Sequence, residues 1–119
     1  MKEHFSFVRA FYSCFIVVNC YNLGILMNTV LITGGAGGIG LASARAFHKL
    51  GHAVVIADLD EDLANKAAAS LGDRALGCRV DVRNKSEIKA AFEAAESAFG
   101  PVDIVHANAG VSNMKRALD

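Results

Sequence analysis

Apolar residues follow two different patterns in the chain from Thr29 onward. Four short, mostly apolar segments, most of them rich in valine or isoleucine, end at glycine or at polar residues. Segments of this kind predict buried strands of a parallel sheet that helices cover on both faces. The four predicted strands are residues 30–32, 53–57, 74–80 and 102–107.

Between these segments apolar residues recur every three or four positions, which predicts amphipathic helices over about residues 38–50, 61–71 and 84–99. Asp60 is expected to cap the second helix, and Asn84 and Glu87 fit a capping pair for the third. The positions expected to face the sheet are Ile39, Ala42, Ala46 and Leu50, then Leu63, Ala67 and Leu71, then Ile88, Phe92, Ala95 and Phe99. The alternation of strands and helices predicts an α/β fold with a doubly wound parallel sheet and strand order 3-2-1-4.

A glycine-rich segment joins the first predicted strand to the first predicted helix. Five of the seven residues from Gly34 to Gly40 are glycine. Glycine permits a tight turn and a close approach of the backbone to a ligand, and the N–H groups that open a helix attract anions. Two phosphate-binding spacings fit: G-x-G-x-x-G and T-G-x-x-x-G-x-G. The first uses Gly35, Gly37 and Gly40, and the second uses Thr33, Gly34, Gly38 and Gly40. A glycine-rich turn without a ligand is the alternative.

Asp58 ends the second predicted strand, 18 residues after Gly40. An acidic residue about 20 residues beyond a glycine fingerprint typically accepts hydrogen bonds from the adenosine ribose hydroxyls of a dinucleotide. The alternative is an N-cap, a role for which Asp60 is available.

Two further motifs follow the third and fourth predicted strands, namely Asp81-Val82 and Asn108-Ala109-Gly110. Together with Thr33-Gly34-x-x-x-Gly38-x-Gly40 and Asp58, in this order, they make the sequence resemble the short-chain dehydrogenase/reductase family over about residues 28–114. The resemblance implies a Rossmann-type doubly wound parallel sheet, truncated after the fourth strand. It also implies hydride transfer between a nicotinamide cofactor and an alcohol or carbonyl substrate.

The resemblance assigns cofactor binding to Thr33, Gly34, Gly38, Ile39, Gly40, Asp58, Asp81, Val82, Asn108, Ala109 and Gly110. By the same resemblance Asp81 contacts the adenine amino group and Val82 packs on the ring, whereas the alternative is that Asp81 only begins a turn. Ala107 stands where the family usually has the first asparagine of N-N-A-G. NAD is expected rather than NADP, because of Asp58, because Gly37 stands where NADP-using relatives often carry a basic residue, and because no lysine or arginine directly follows Asp58.

The catalytic groups of the family do not match this chain. Such enzymes use a serine and a Tyr-x-x-x-Lys pair, but Tyr12 and Tyr21 are the only tyrosines and neither precedes a lysine by four residues. Ser112 comes too early in the family's order. We therefore expect an N-terminal cofactor-binding half that is inactive alone. The alternatives are a non-catalytic nucleotide-binding or regulatory domain and, less favoured, an S-adenosylmethionine-dependent methyltransferase-like domain.

Residues 1–28 differ in composition from residues 29–119, which form the predicted partial dinucleotide-binding domain. The first part holds four of the seven phenylalanines and both tyrosines, and an apolar run over residues 10–18. It is expected to be an atypical hydrophobic extension. A mis-assigned extension ending before Met27, a membrane-associating segment and a signal-like segment remain open.

Charge and cysteine content narrow the possible partners. The formal net charge is zero, which gives no support for nucleic acid or an acidic membrane surface as a partner. The three cysteines lack metal-ligand spacing and favour the cytoplasm, without a metal site. The fourth predicted strand lacks its usual neighbouring strand, so its unpaired edge is expected to cause self-association. The hydrophobic N-terminal segment either covers this edge or increases self-association.

Overall fold

The computed structural model describes the backbone of residues 5–10 and 14–19, and residues 28–109 in full. Strands and helices alternate from Thr29 onward, as predicted. In chain order the elements are β1 (Phe5–Ala10), β2 (Cys14–Asn19), β3 (Thr29–Thr33), α1 (Gly38–Lys49), β4 (Ala53–Asp58), α2 (Glu61–Leu71), β5 (Ala75–Arg79), α3 (Lys85–Phe99) and β6 (Val102–Ala107).

The strands form one sheet in the order β1-β2-β6-β3-β4-β5. β3 pairs in parallel with β4 and with β6, and β4 pairs in parallel with β5. Numbered from β3 onward, the parallel strands therefore have the order 3-2-1-4, which confirms the predicted Rossmann-type sheet.

Two antiparallel strands from the N-terminal part extend this sheet. β1 pairs with β2, and β2 lies along the outer edge of β6, with Phe15 opposite Ala107 and Val18 opposite Ile104. The backbone of β2 thus covers the edge for which self-association was expected. The division of the chain at residue 28 stays a prediction.

The core lies on both faces of the parallel strands. On one face, Val30, Ile32, Val54 and Ile56 pack with small residues of α1 and α2. On the other, Leu31, Val55 and Ala57 pack with residues of α3. Because both faces are covered, these strands are apolar at consecutive positions.

The predicted inner face of α1 is wrong. Ile39 and Leu50 are 68% and 74% exposed, whereas Gly40 and Ala44 are buried and Leu41 and Phe47 pack against the core. The reason is steric, because α1 packs directly against the glycine turn at Gly40: a Cβ there would lie 2.2 Å from the Gly34 carbonyl oxygen. Alanine fits either face of a helix, so the predicted stripe carried little information about orientation.

The other two helices follow the predictions more closely. In α2, Ala67 is buried as predicted together with Ala64, but Leu63 is 49% exposed. In α3 the predicted stripe is confirmed, because Ala95 is buried and Ile88, Phe92 and Phe99 pack against the core.

The helix starts differ in their caps. Asp60 accepts a hydrogen bond from Leu63 N at 3.2 Å at the start of α2, and Asn84 accepts one from Ser86 N at 3.0 Å at the start of α3. The Glu87 side chain pairs with Arg79, so the predicted reciprocal capping pair is not formed. α1 begins after Gly37 without a side-chain cap and without an acidic residue in its first turn. None of the helices in the described part of the chain is long and apolar enough to cross a lipid bilayer.

Candidate functional site

A cavity of about 480 Å³ lies where the carboxyl ends of the parallel strands meet. Its lining residues are Gly34, Asp58, Leu59, Val80, Asp81, Val82, Arg83 and Ala109. The first strand of the parallel set, β3, has β4 on one side and β6 on the other, so the chain reverses its winding direction here. Ligands of open α/β sheets bind at such a switch point. The structure therefore brings five predicted residues together at the place where this fold binds ligands: Gly34, Asp58, Asp81, Val82 and Ala109.

The glycine turn has strict steric requirements at particular positions. Gly34 has φ +65°, and a Cβ there would lie 3.0 Å from Ala109 Cα. Gly38 has φ +57°, and Gly40 has no space for a side chain. Gly37 is extended, with φ −162°, and a Cβ would enter open space. Gly35 is also closely packed, since a Cβ there would lie 3.0 Å from Ile56 Cγ2. All three glycines of the T-G-x-x-x-G-x-G spacing are thus required by φ or by packing, whereas the other spacing includes Gly37, which is not.

Backbone hydrogen bonds attach the glycine turn to the end of β4. Gly34 N and Gly35 N donate to the Ala57 carbonyl oxygen at 2.7 and 3.3 Å. Ala36 N donates to Asp58 Oδ2 at 3.1 Å. The turn is therefore held beside Asp58, and α1 begins directly after it.

Thr33 and Asn108 join the end of β3 to the end of β6. Thr33 Oγ1 accepts hydrogen bonds from Asn108 N at 3.1 Å and from Ala109 N at 3.0 Å. Asn108 Nδ2 donates to the Gly34 carbonyl oxygen at 3.1 Å. The structural contacts of these two predicted cofactor residues are thus with backbone groups that shape the cavity. Ala107, the departure from the family motif, is exposed.

Asp58 lies half-buried between the glycine turn and the start of α2. Oδ2 accepts from Ala36 N, and Oδ1 accepts from Asp60 N at 3.2 Å. The alternative role for Asp58 was that of a helix N-cap, but Asp60 caps α2. A carboxylate has about four acceptor positions, so both Asp58 oxygens keep capacity for ligand hydroxyl groups.

Asp81 begins a turn and also faces the cavity. Asn84 N donates to the Asp81 carbonyl oxygen at 2.9 Å, as the turn interpretation requires. The carboxylate of Asp81 lines the cavity and is bonded by Arg83, which lowers the pKa of the Asp81 carboxyl to about 2. Val82, 41% exposed, presents apolar surface beside it.

The remaining predicted residues lie elsewhere. Ile39 is exposed at the start of α1 and is not among the residues that line this cavity. Thr33 lines a smaller neighbouring cavity of about 230 Å³. Gly110 lies outside the described residues, as do Tyr12, Tyr21 and Ser112. Within the described residues no group of three or more His, Cys, Asp or Glu side chains is arranged to hold a metal ion.

Four residues of the site were not assigned from the sequence. Leu59, Val80 and Arg83 line the cavity, and their proximity in the chain to Asp58 and Asp81 is the signal that points to them. Arg79 lies opposite Asp58 in the β4–β5 register and, with Asp58, lines an adjoining acidic cavity. Finding Arg79 requires the strand register, which the sequence pattern does not fix to a single residue.

Comparison with known proteins agrees with this geometry. The family model described as short chain dehydrogenase matches residues 28–119. The uncharacterized oxidoreductase YuxG of Bacillus subtilis is 44% identical over 87 residues, which are 69% of this chain and 13% of that protein. Galactitol 2-dehydrogenase of Agrobacterium fabrum is 42% identical over 84 residues, 71% of this chain and 33% of that protein.

A solved structure shows the same fold. The 3-ketoacyl-(acyl-carrier-protein) reductase of Brucella melitensis, crystallised with NADH, is 41% identical and superposes with a TM-score of 0.61. The match covers 63% of this chain and 31% of the reductase chain. The chain spans about a third or less of the length of these relatives. With a family match over residues 28–119 and the expected order of strands, the chain belongs to the short-chain dehydrogenase family.

Proposed function

We propose that this chain is the cofactor-binding part of a nicotinamide-dependent oxidoreductase and that the cavity at the strand ends takes the adenosine half of the dinucleotide. The observation that carries the proposal is the open start of α1. Its amides have no side-chain cap, and they follow a glycine turn in which Ala36 N donates to Asp58. The relative solved with NADH supports the same cofactor class.

The start of α1 is suited to a diphosphate for electrostatic reasons. The N–H groups of the first helical turn carry partial positive charge, and an acidic residue there would repel an anion. α2 has Asp60, Glu61 and Asp62 at its start, and α3 has Asn84 and Glu87. α1 has none of these groups.

Each predicted site residue has a place in this proposal. Gly34, Gly38 and Gly40 allow the diphosphate to approach the backbone, and Asp58 accepts hydrogen bonds from the adenosine ribose. Asp81 and Val82 face the adenine. The remaining residues, on the nicotinamide side or around the turn, are Thr33, Ile39, Asn108, Ala109 and Gly110.

The reaction proposed for the whole protein is hydride transfer between the nicotinamide and an alcohol or carbonyl group. When bound, the cofactor supplies the hydride chemistry, and the residues of this chain bind and orient it. The chain alone is proposed to be inactive, because no serine, tyrosine and lysine in it match the family's catalytic set. A cytoplasmic location and self-association stay predictions from the sequence.

We also propose that NAD is preferred to NADP. The cavity next to Asp58 is lined by Asp58, Leu59, Asp60, Glu61, Asp62 and Arg79. Four of these residues are acidic and only Arg79 is basic. The Arg79 guanidinium already pairs with Glu87. A 2′-phosphate would therefore enter a region of net negative charge.

The binding proposal is tested by titrating NADH into the 119-residue chain and two glycine variants by calorimetry. Gly40→Ala places a Cβ against the Gly34 carbonyl oxygen and displaces α1 from the turn, so NADH affinity should fall at least about ten-fold. Gly37→Ala, whose Cβ meets no protein atom, is the matched control and should weaken NADH binding much less than Gly40→Ala does. Circular dichroism of both variants separates lost binding from lost fold. A wild-type chain that does not bind NADH, or equal affinities in all three proteins, would contradict the proposal.

A further inference from the structure

The carboxylate of Asp81 is held in one orientation by a single neighbour. Arg83 Nε donates to Oδ1 at 3.0 Å and Arg83 Nη2 donates to Oδ2 at 2.8 Å. The backbone N of Arg83 also donates to Oδ1, at 3.0 Å. A planar guanidinium binding both oxygens fixes the plane of a carboxylate as well as its position.

The surroundings of this ion pair fit a flat, partly apolar ligand. Leu59, Val80 and Val82 provide apolar surface in the same cavity, and Asp58 lines it too. The Asp81 side chain is 21% exposed, whereas that of Arg83 is 83% exposed. The acceptor thus lies at the cavity wall and the guanidinium lies toward solvent, which suits a heteroaromatic base with its edge facing Asp81.

The pair also determines what kind of polar group the wall offers. An ionised carboxylate accepts hydrogen bonds and donates none. Of its roughly four acceptor positions, Arg83 occupies three, two on Oδ1 and one on Oδ2. The Asp81 carboxyl is ionised at neutral pH, and the hydrogen bonds and charge of Arg83 lower its pKa further, to about 2. The position that remains, on Oδ2, suits a ligand N–H.

We propose that Arg83 is a specificity-determining positioning residue: by fixing the Asp81 carboxylate, it makes the cavity select a base with an exocyclic amino group over one with an oxo group. This inference rests on the proposed function, in which the cavity takes the base end of a dinucleotide. A 6-aminopurine donates to Oδ2 through its exocyclic amino group. A 6-oxopurine presents an oxygen at that position and carries its donor on N1 instead, so it does not donate to a carboxylate that Arg83 holds opposite the 6-substituent.

The alternative role for Arg83 is direct contact with a phosphate. The two roles predict different changes. A residue that positions Asp81 changes the ratio of affinities for amino and oxo bases, whereas a phosphate ligand changes the affinity for both by the same factor. The ratio of the two affinities therefore distinguishes the positioning role from the phosphate role. A general loss of stability would lower both affinities without changing their ratio.

The test compares NADH with reduced nicotinamide hypoxanthine dinucleotide, in which a 6-oxo group and an N1–H replace the 6-amino group and unprotonated N1 of adenine. Fluorescence of the reduced nicotinamide reports binding of both. Wild-type protein should prefer NADH about ten-fold or more, since a hydrogen bond to a charged group is lost with the oxo base. Arg83→Gln should weaken NADH binding about three-fold or more and leave hypoxanthine dinucleotide binding nearly unchanged, because the freed carboxylate must be ordered on binding.

Two more variants complete the experiment. Asp81→Asn places an amide at the wall, which donates as well as accepts, so the preference for the amino base should disappear. Lys85→Gln removes a charge from the exposed first residue of α3 and should keep the wild-type ratio.

Three outcomes would overturn the inference. Equal affinity of the wild type for the two dinucleotides refutes the role of Arg83 while the proposed function stands. An unchanged affinity ratio in Arg83→Gln refutes it too, and if both affinities fall by the same factor, Arg83 is a phosphate ligand instead. If the wild type binds neither dinucleotide, the proposed function fails and the inference fails with it.

Discussion

The two buried polar side chains of β6 have different environments. Asp103 Oδ2 accepts a hydrogen bond from Thr29 N at 3.3 Å, so the carboxylate that interrupts the apolar pattern of β6 holds the start of β3. His106 is 2% exposed, and its Nδ1 has no hydrogen-bond partner among the described residues. Burial favours the neutral imidazole and lowers the pKa of His106 below 6.5.

The His106 environment predicts an acid-sensitive fold. In the unfolded chain the imidazole binds a proton near pH 6.5, and in the folded chain it does so at lower pH. Between these two pKa values the unfolded state binds more protons, so the free energy of unfolding decreases as pH falls below 6.5. His106→Leu should reduce this pH dependence, as measured by urea unfolding at about pH 7.5 and about pH 5.5.

Ile104→Val serves as the control, because it alters a buried residue of the same strand without adding or removing a titratable group. That variant should keep the wild-type pH dependence. Identical pH dependence in wild type and His106→Leu would show that His106 does not titrate differently on folding.

At the scale of elements, strands were easier to predict than helix orientation. Consecutive apolar residues in β3 and β4 are buried on both faces, so no choice of face was needed. The phenylalanines of α3 identify its inner face because only that face can bury them. α1 offers mainly small residues, and its orientation depends on contact at Gly40, which the pattern does not reveal.

The start of α1 provides a prediction in which helix stability and ligand affinity change in opposite directions. Gly37 has the extended conformation typical of an N-cap, so aspartate or asparagine there should each stabilise α1 by a few tenths of a kcal/mol. Gly37→Asp also adds a negative charge where we propose the diphosphate binds. NADH affinity, measured by calorimetry, should fall about ten-fold relative to Gly37→Asn. Equal affinities in the two variants would place the diphosphate elsewhere.

Parts of the site could be predicted at the scale of residues and others could not. Asp58 and Asp81 follow apolar strands directly, so the ends of parallel strands bring them to one edge of the sheet. The ion pair of Asp81 with Arg83 depends on side-chain conformation. The bonds that Thr33 accepts depend on the exact register of β3 and β6. Sequence pattern specifies neither.

At the scale of the whole molecule, the sheet continues beyond the parallel strands through β2 and β1. Because β2 pairs along β6, removal of residues 1–26 should expose the backbone groups of that edge. We expect residues 27–119 to aggregate or dimerise at micromolar concentration more than the full chain does, as measured by sedimentation velocity. A stable, compact monomer of residues 27–119 would show that β2 is not needed to protect β6.

The central claim is that this sheet binds a nicotinamide dinucleotide with Asp58 on the adenosine ribose. Bonds from the ribose hydroxyls to a carboxylate stabilise NADH by roughly 1.5–3 kcal/mol each, and a 2′-phosphate replaces one donor with negative charge. After screening, a bias of about 2 kcal/mol, or about 30-fold, is expected. Asp58→Ala should reduce this preference for NADH over NADPH, and adding the substitution Leu59→Arg should reduce it further.

The most direct measurement is a pair of calorimetric titrations, NADH and NADPH, into the wild-type chain and into Asp58→Ala. The account predicts that the wild type binds NADH about 30-fold more tightly than NADPH and that the variant loses most of this difference. Equal affinities in the wild type, or a preference that Asp58→Ala leaves unchanged, would contradict it.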